Sequence, residues 1–308
     1  MNGVAQWDAV TKRYSAVTAV QDVSLQLQPG EATALVGHNG AGKTTLFKLL
    51  LGFIRPDAGR VLIGGADPVG KDGAHVRRDI GFLPENVAFH GAMTGTELMA
   101  FYARMKGASR AHNAELLERV GIAHAAMRRV STYSKGMRQR LGLAQALIGE
   151  PKLLLFDEPT SGLDPASRHD VYAMVDTLRA AGATVLISTH ALAEVENHVD
   201  RAAIMHRGSL LAAGTLAELR HGVDAEVRMR LRVRPCSTAQ VLAAMPEGVR
   251  CIERSDAALT LMVAPAAKMT TLRAIAQAGD LVEDVDLVAP GLQELYVHLT
   301  GAADIDTP

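Results

Sequence analysis

The sequence predicts an α/β protein: a mostly parallel sheet with a helical subdomain inserted into it, then a small α+β module at the C-terminal end. Three observations carry this. Short apolar runs alternate with helical patterns between Val20 and Ser188. A glycine-rich loop, Gly37 to Thr45, joins a compact apolar run to a helical one. After Leu219 the texture changes to alternating charged and apolar residues. The expected domains are 1–220, with the helical subdomain at about 86–150, and 221–308.

The elements follow in order. Val20–Leu27 alternates apolar and polar residues, as a half-buried strand does, and stops at Pro29-Gly30. Ala32–Val36 is a compact apolar run, the pattern of a strand buried on both faces. Thr45–Leu51 reads as a helix, Arg60–Ile63 as a short strand after a Pro-Asp-Ala-Gly turn, and Ile80–Leu83 as another buried strand. Helical patterns then dominate: Glu97–Met105, Ala114–Val120 and Lys135–Ile148. Strands return at Leu153–Phe156 and Thr184–Ser188, separated by a helix at Ser167–Ala180. Beyond Leu219, strands at Glu226–Val233, Val249–Ile252, Leu259–Val263 and Val282–Leu287 interleave with helices at Thr238–Met245 and Lys268–Ala278. That is a β-α-β-β-α-β order, ferredoxin-like, closed by a helix at Gly291–Leu299.

Composition removes several classes of function. The formal net charge of the 308 residues is −1, so no global basic field points to nucleic acid. The first residues lack the basic stretch and apolar run of a signal peptide. The densest apolar segments fall far short of the ~20 residues that cross a bilayer, so any membrane role is borrowed from a partner. The two cysteines, Cys236 and Cys251, form no Cys-x-x-Cys pair and share their spacing with no histidine or acidic cluster. A reduced, cytoplasmic setting follows.

The loop Gly37-His38-Asn39-Gly40-Ala41-Gly42-Lys43-Thr44-Thr45 fits the phosphate-binding pattern G-x-x-x-x-G-K-[ST] in the right context, strand before and helix after. Its glycines let backbone N–H groups face phosphate oxygens, and the helix N-terminus adds positive potential. Lys43 is placed to neutralise the β- and γ-phosphates, and the Thr44 hydroxyl to ligate Mg²⁺. The run Leu153-Leu-Leu-Phe-Asp157-Glu158 is an apolar strand ending in two carboxylates, which at the carboxyl end of a parallel strand face the ligand crevice. Asp157 suits the Mg²⁺ shell, and Glu158 suits a base that orients and deprotonates water. These motifs predict a P-loop NTPase core of RecA-like form, with ATP and Mg²⁺ as cofactors.

Together with Tyr133-Ser134-Lys135-Gly136-Met137, a Ser-x-Gly turn opening a basic helix, the motifs resemble the ATP-binding subunit of an ABC transporter over about residues 2–220. The resemblance implies an ATP hydrolase. It implies that Ser134, Lys135 and Gly136 form the signature that binds the γ-phosphate held by the opposite subunit, with Lys135 and Met137 departing from the common LSGGQ pattern. It also implies a D-loop at Ser161-Gly162-Leu163-Asp164 and a γ-phosphate sensor, the switch histidine, at His190. Glu85 takes the place of the Q-loop glutamine; a carboxylate there receives a water or touches Mg²⁺, yet donates no hydrogen bond while ionised. Tyr14 falls where the family stacks an aromatic ring on adenine, and a plain core or surface tyrosine fits that position equally.

The chain holds one set of motifs, so the resemblance implies a homodimer sandwiching two ATP molecules, a permease riding on residues near Asn86–Met105, and a peripheral place on the cytoplasmic side of a bacterial inner membrane. Within the family, the stretch Tyr133–Ala146 is similar to the NosF group. That group serves the NosDFY complex in copper-site maturation of nitrous oxide reductase during denitrification. A NosY-like permease and, indirectly, a periplasmic NosD-like protein would then be partners. Copper enters through the resemblance alone. Alternatives are the ATPase of another ABC-2-type exporter for a drug, lipid or polysaccharide, a soluble ABC ATPase acting on ribosomes or DNA, and a non-hydrolysing binding module.

Overall fold

The computed structural model describes residues 4–223 and 225–301, which divide into two compact units after Thr215. The first contains β1 (Ala5–Tyr14), β2 (Val17–Leu27), β3 (Ala32–Val36), α1 (Lys43–Leu50), β4 (Ala58–Ile63), α2 (Gly73–Arg78) and β5 (Ile80–Leu83). Next come the helices α3 (Gly95–Lys106), α4 (Asn113–Arg119) and α5 (Lys135–Ala146). It ends with β6 (Leu153–Asp157), α6 (Pro165–Ala180), β7 (Thr184–Thr189), α7 (Leu192–Val195), β8 (Arg201–His206) and β9 (Ser209–Thr215).

Two sheets share these strands. The larger has the order β5-β6-β7-β3-β8-β9, parallel except for β9. Every residue of the mainly apolar β3, β6 and β7 is buried, the polar Thr33, Asp157, Thr184, Ser188 and Thr189 included, as in strands covered on both faces. The smaller sheet, β2-β1-β4, is antiparallel. Helix α1 is the layer between them: Leu46, Phe47, Leu49 and Leu50 share one core with Trp7, Val23 and Val61 of the small sheet and Leu35, Leu155 and Leu186 of the large one. A helix buried on so many sides is fixed by packing, at about 1.5–3 kcal/mol for each large apolar side chain. The carboxyl ends of β3, β6 and β7 therefore open side by side at one edge, where Gly37, Glu158 and His190 follow them.

The small sheet was not legible as such. β1 escaped the sequence reading because shifts in its pairing with β2 break the two-residue alternation, and Ala9 sits at φ 50°. β8 and β9 escaped as well; β8 is short and rich in alanine.

The inserted helices are fixed at their ends. Thr94 and Glu97 form a reciprocal capping box at the start of α3, with Glu97 N to Thr94 Oγ1 at 3.2 Å and Thr94 N to Glu97 Oε2 at 2.8 Å. Gly107 at φ 71° ends it. Tyr133, just before α5, is buried and donates its hydroxyl to Ala125 O at 2.7 Å.

The second unit holds α8 (Leu216–His221), β10 (Val227–Val233), α9 (Thr238–Ala243), β11 (Arg250–Arg254), β12 (Ala258–Val263), α10 (Lys268–Gln277), β13 (Val282–Val288) and α11 (Leu292–Thr300). Its sheet order is β11-β12-β10-β13, antiparallel throughout, which is the ferredoxin-like arrangement. Alternation builds the core: Met229, Leu231 and Val233 face Val241 and Ile275 with Leu259, Leu261 and Val263, while Arg230 and Arg232 on the opposite face are exposed. Helix α8 belongs here, since Arg220 Nε donates to Pro290 O at 2.8 Å.

Candidate nucleotide site

The loop after β3 needs its glycines. Gly40 and Gly42 have φ of 83° and 105°, in the left-handed region. A Cβ on Gly42 would meet Ala19 O at 2.6 Å, and one on Gly37 would meet Met205 O at 2.6 Å. The chain can thus turn into α1 with its first N–H groups open at the strand edge. Thr44 is exposed on that first turn, Thr45 half-buried, and Ala41 buried. His38 Nδ1 lies 2.6 Å from Asn39 O, and its ring meets that of His206 edge-on at 5.1 Å.

Lys43 turns back over this loop. Its Nζ donates to Gly37 O at 2.5 Å and to His38 O at 3.3 Å, and stands 3.6 Å from Glu158 Oε1. Burial holds the ammonium below the ordinary lysine range; the carboxylate of Glu158, then those of Asp157 and Glu85, oppose that shift.

The end of β6 supplies the acids. Asp157 and Glu158 are both buried. Ser188 at the end of β7 ties them together: its Oγ donates to Asp157 Oδ1 and accepts from Glu158 N, the latter at 3.0 Å. Glu158 adopts φ 45°, a left-handed conformation that non-glycine residues hold only under surrounding constraint. His190 Nδ1 lies 2.9 Å from Glu158 Oε2. Glu158 is therefore flanked by Lys43 on one oxygen and His190 on the other.

A second cluster surrounds the start of α5. Ser134 caps the helix, its Oγ accepting from Met137 N at 3.2 Å. Lys135 lies over Gly162, and a Cβ on Gly136 would meet Ser167 Oγ at 3.3 Å. These residues line a cavity of about 560 Å³ together with Asp164 and Arg140. Asp164 spends both carboxylate oxygens on Ser167, accepting from its N at 3.0 Å and from its Oγ at 2.7 Å as the cap of α6. Its carboxylate is thus engaged in its own helix, a role the sequence reading did not assign. Hydrogen bonds from the Ser167 backbone and hydroxyl hold that carboxyl below its ordinary value.

Two expected site residues stand apart from both clusters. Glu85 is exposed just after β5, within electrostatic reach of Lys43. Tyr14, at the end of β1, is 43% exposed, with Lys12 Nζ 5.8 Å from its ring centroid. The sequence reading missed Ser188, named then as a strand residue only, and Gln139, whose Nε2 donates to Pro159 O at 2.9 Å in a buried contact between the two clusters. A polar residue at position 139, on a face of α5 it shares with the buried Leu143, was the available signal.

Comparison with known proteins gives this geometry a family. Residues 20–161 match the ABC transporter family. The daunorubicin resistance ATP-binding protein DrrA3 of Streptomyces coeruleorubidus is 37% identical over 304 residues, which is 96% of this chain and 95% of that protein. The chain belongs to the ABC transporter ATP-binding family. The linearmycin resistance ATP-binding protein LnrL of Bacillus subtilis is 31% identical over 96% of this chain and 98% of its own length. Among solved structures, an ATP-binding subunit of an ABC transporter shares 31% identity at a TM-score of 0.66, covering 71% of this chain and 92% of that one. The cbiO1 subunit of the cbiONQ complex from Clostridium perfringens gives 26% and 0.64, over 71% and 91%.

As an ABC ATPase, this chain is an ATP-hydrolysing transporter subunit. Subunits of this kind dimerise and pair with a membrane permease. Among the described residues no helix is long and apolar enough to cross a membrane. Relatives that align along nearly the whole chain include drug-resistance ATP-binding proteins, which favours the exporter alternative over the NosF reading.

Proposed function

We propose that the chain powers an exporter permease for an amphiphilic, drug-like small molecule, closing as a homodimer over two ATP molecules at the cytoplasmic face of the membrane. The observation that carries the cargo class is coverage. The likeness to DrrA3 spans 96% of this chain, so it includes the ferredoxin-like unit as well as the ATPase.

In this reading the loop N–H groups and Lys43 bind the phosphates, and Tyr14 offers its exposed ring to adenine. The donor set fits Mg²⁺: the exposed Thr44 hydroxyl and the buried Asp157 carboxylate are hard oxygen ligands, with Glu85 within reach through water. When bound, the ion neutralises phosphate charge. Glu158 takes a proton from the attacking water, and His190, hydrogen-bonded to it, faces the γ-phosphate. Ser134, Lys135 and Gly136 cap the nucleotide held by the second copy, their cavity being the counterpart of the first cluster. Asp164 acts through the shape of its loop.

A second reading keeps the copper system. The stretch Tyr133–Ala146 is similar to NosF subunits, and it would give the chain a NosY-like permease, a NosD-like periplasmic partner and a purely mechanical role. Expression of the chain with its own permease in a drug-sensitive host separates the two. Extrusion of daunorubicin or a similar amphiphile that is lost in Lys43→Ala supports the exporter. Unchanged drug sensitivity, with nitrous oxide reductase activity restored in a NosF-deficient strain, would overturn it. A shared site also requires specific ATPase activity to fall on dilution of the purified subunit; constant activity at every dilution excludes it.

A further inference from the structure

The start of α5 is bonded to the segment that follows the base. Gln139 is 5% exposed, and its amide donates to Pro159 O at 2.9 Å, the carbonyl of the residue after Glu158. On the same side of α5, Lys135 lies over Gly162 and Gly136 closes on Ser167 Oγ. Turns then carry the segment onward, with Ser161 N on Glu158 O at 3.1 Å and Leu163 N on Thr160 O at 3.2 Å.

A buried carbonyl that loses its donor keeps its desolvation cost, so this bond makes helix and loop shift together. Glu158 is sensitive to such a shift. Its left-handed φ of 45° is held by what surrounds it, and the next carbonyl along the chain is the one Gln139 fixes. Ser134, five residues before Gln139, is on the same helix end.

We propose that Gln139 is a positioning residue that transmits the seating of the neighbour's nucleotide at Ser134 to Glu158 of its own subunit, coupling the two composite sites of the dimer. This rests on the ATP sandwich proposed above. The bond runs from the element that caps one nucleotide to the residue after the base that serves the other, so each site reports its occupancy to its twin.

The test uses two variants of the full-length protein. Gln139→Met keeps length and removes the donor. Its kcat for ATP falls about tenfold while KM is unchanged. ATP still traps a dimer when Glu158→Gln is added. Gln139→Glu places a carboxylate against the Pro159 carbonyl. Ionised, it cannot donate; protonated, it carries an O–H that can. Burial raises a carboxyl pKa, so lowering the pH from about 8 to about 6 restores the donor. The ratio of Gln139→Glu to wild-type kcat rises over that range, while the Gln139→Met ratio stays flat. An unchanged kcat in Gln139→Met overturns the proposal. So do parallel, flat ratios for both variants, because lost packing would affect them alike. Failure of Glu158→Gln alone to trap a dimer overturns the sandwich itself, a failure read from that variant alone.

Discussion

The two clusters of the first unit are built on opposite plans. Lys43, Asp157 and Glu158 are buried, with His190 exposed at their edge, and their polar groups are answered within the chain by Ser188, by loop carbonyls and by one another. Around Ser134 and Lys135, the groups line an open cavity, where Ser134 and Asp164 serve as helix caps and Arg140 pairs with Asp170. On the function proposed above, the first arrangement holds a nucleotide within one chain, and the second is a surface that the same chain leaves open. The contrast then teaches where the dimer requirement sits: in the cavity at the start of α5 rather than in the loop after β3.

The largest expected effect comes from the complete half. Glu158→Gln should lower kcat by about 10²–10⁴-fold with ATP binding retained, as removal of a general base does. Steady-state hydrolysis with a parallel binding assay checks this, and wild-type turnover would deny Glu158 its role. Ser134→Arg breaks the other half: turnover should fall at least about 100-fold by steric blockage while nucleotide binding by the monomer survives. Loss of both together would show the clusters are not separable. Gly42→Ala probes folding of the loop. With the φ of 105° and Ala19 O at 2.6 Å from the new Cβ, a loss of roughly 2 kcal/mol in denaturant unfolding is expected, more than any change at Gly40, which has open space.

The smallest effect lies away from both clusters. Lys106, at the end of α3, donates to Ile80 O at 3.2 Å and is pushed down to about 8 by burial, with Asp79 opposing. The unfolded chain holds its proton to higher pH than the folded one, so stability rises with pH above about 8 until the unfolded lysine titrates. Below that value the folded state carries the full cost of a charged, half-buried ammonium. Lys106→Met should therefore raise Tm modestly at pH 7, and the gain should shrink towards pH 10. A gain independent of pH would assign the effect to packing.

Much of this was legible in the sequence because each signal had a single physical cause. Leu153–Phe156 is wholly apolar and Ala32–Val36 apolar but for Thr33 because both faces are covered, and the motifs at their carboxyl ends marked the candidate site. Seven elements of the C-terminal module, β10 to α11, were readable from alternation and turns, while the short α8 before them was not. What escaped had mixed causes. β1 is bulged, so its buried residues Ala5, Trp7 and Val10 do not keep one period. The engagement of Asp164 with Ser167 is a local capping choice, hidden behind a motif that suggested a ligand. Ser188 and Gln139 are single polar residues whose importance depends on which carboxylate or carbonyl the fold brings opposite them. Cargo was least legible, because the stretch Tyr133–Ala146 resembles NosF while the relatives matched along nearly the full length are drug-resistance ATP-binding proteins.

The contacts of Lys43 have a consequence for timing. The lysine proposed to grip phosphate also stands 3.6 Å from the carboxylate proposed as the base. A γ-phosphate must compete with Glu158 for that ammonium, and by winning it leaves the carboxylate free to accept a proton. On that proposed reading the order of events is built into one side chain: phosphate arrives first, and the base is released by its arrival.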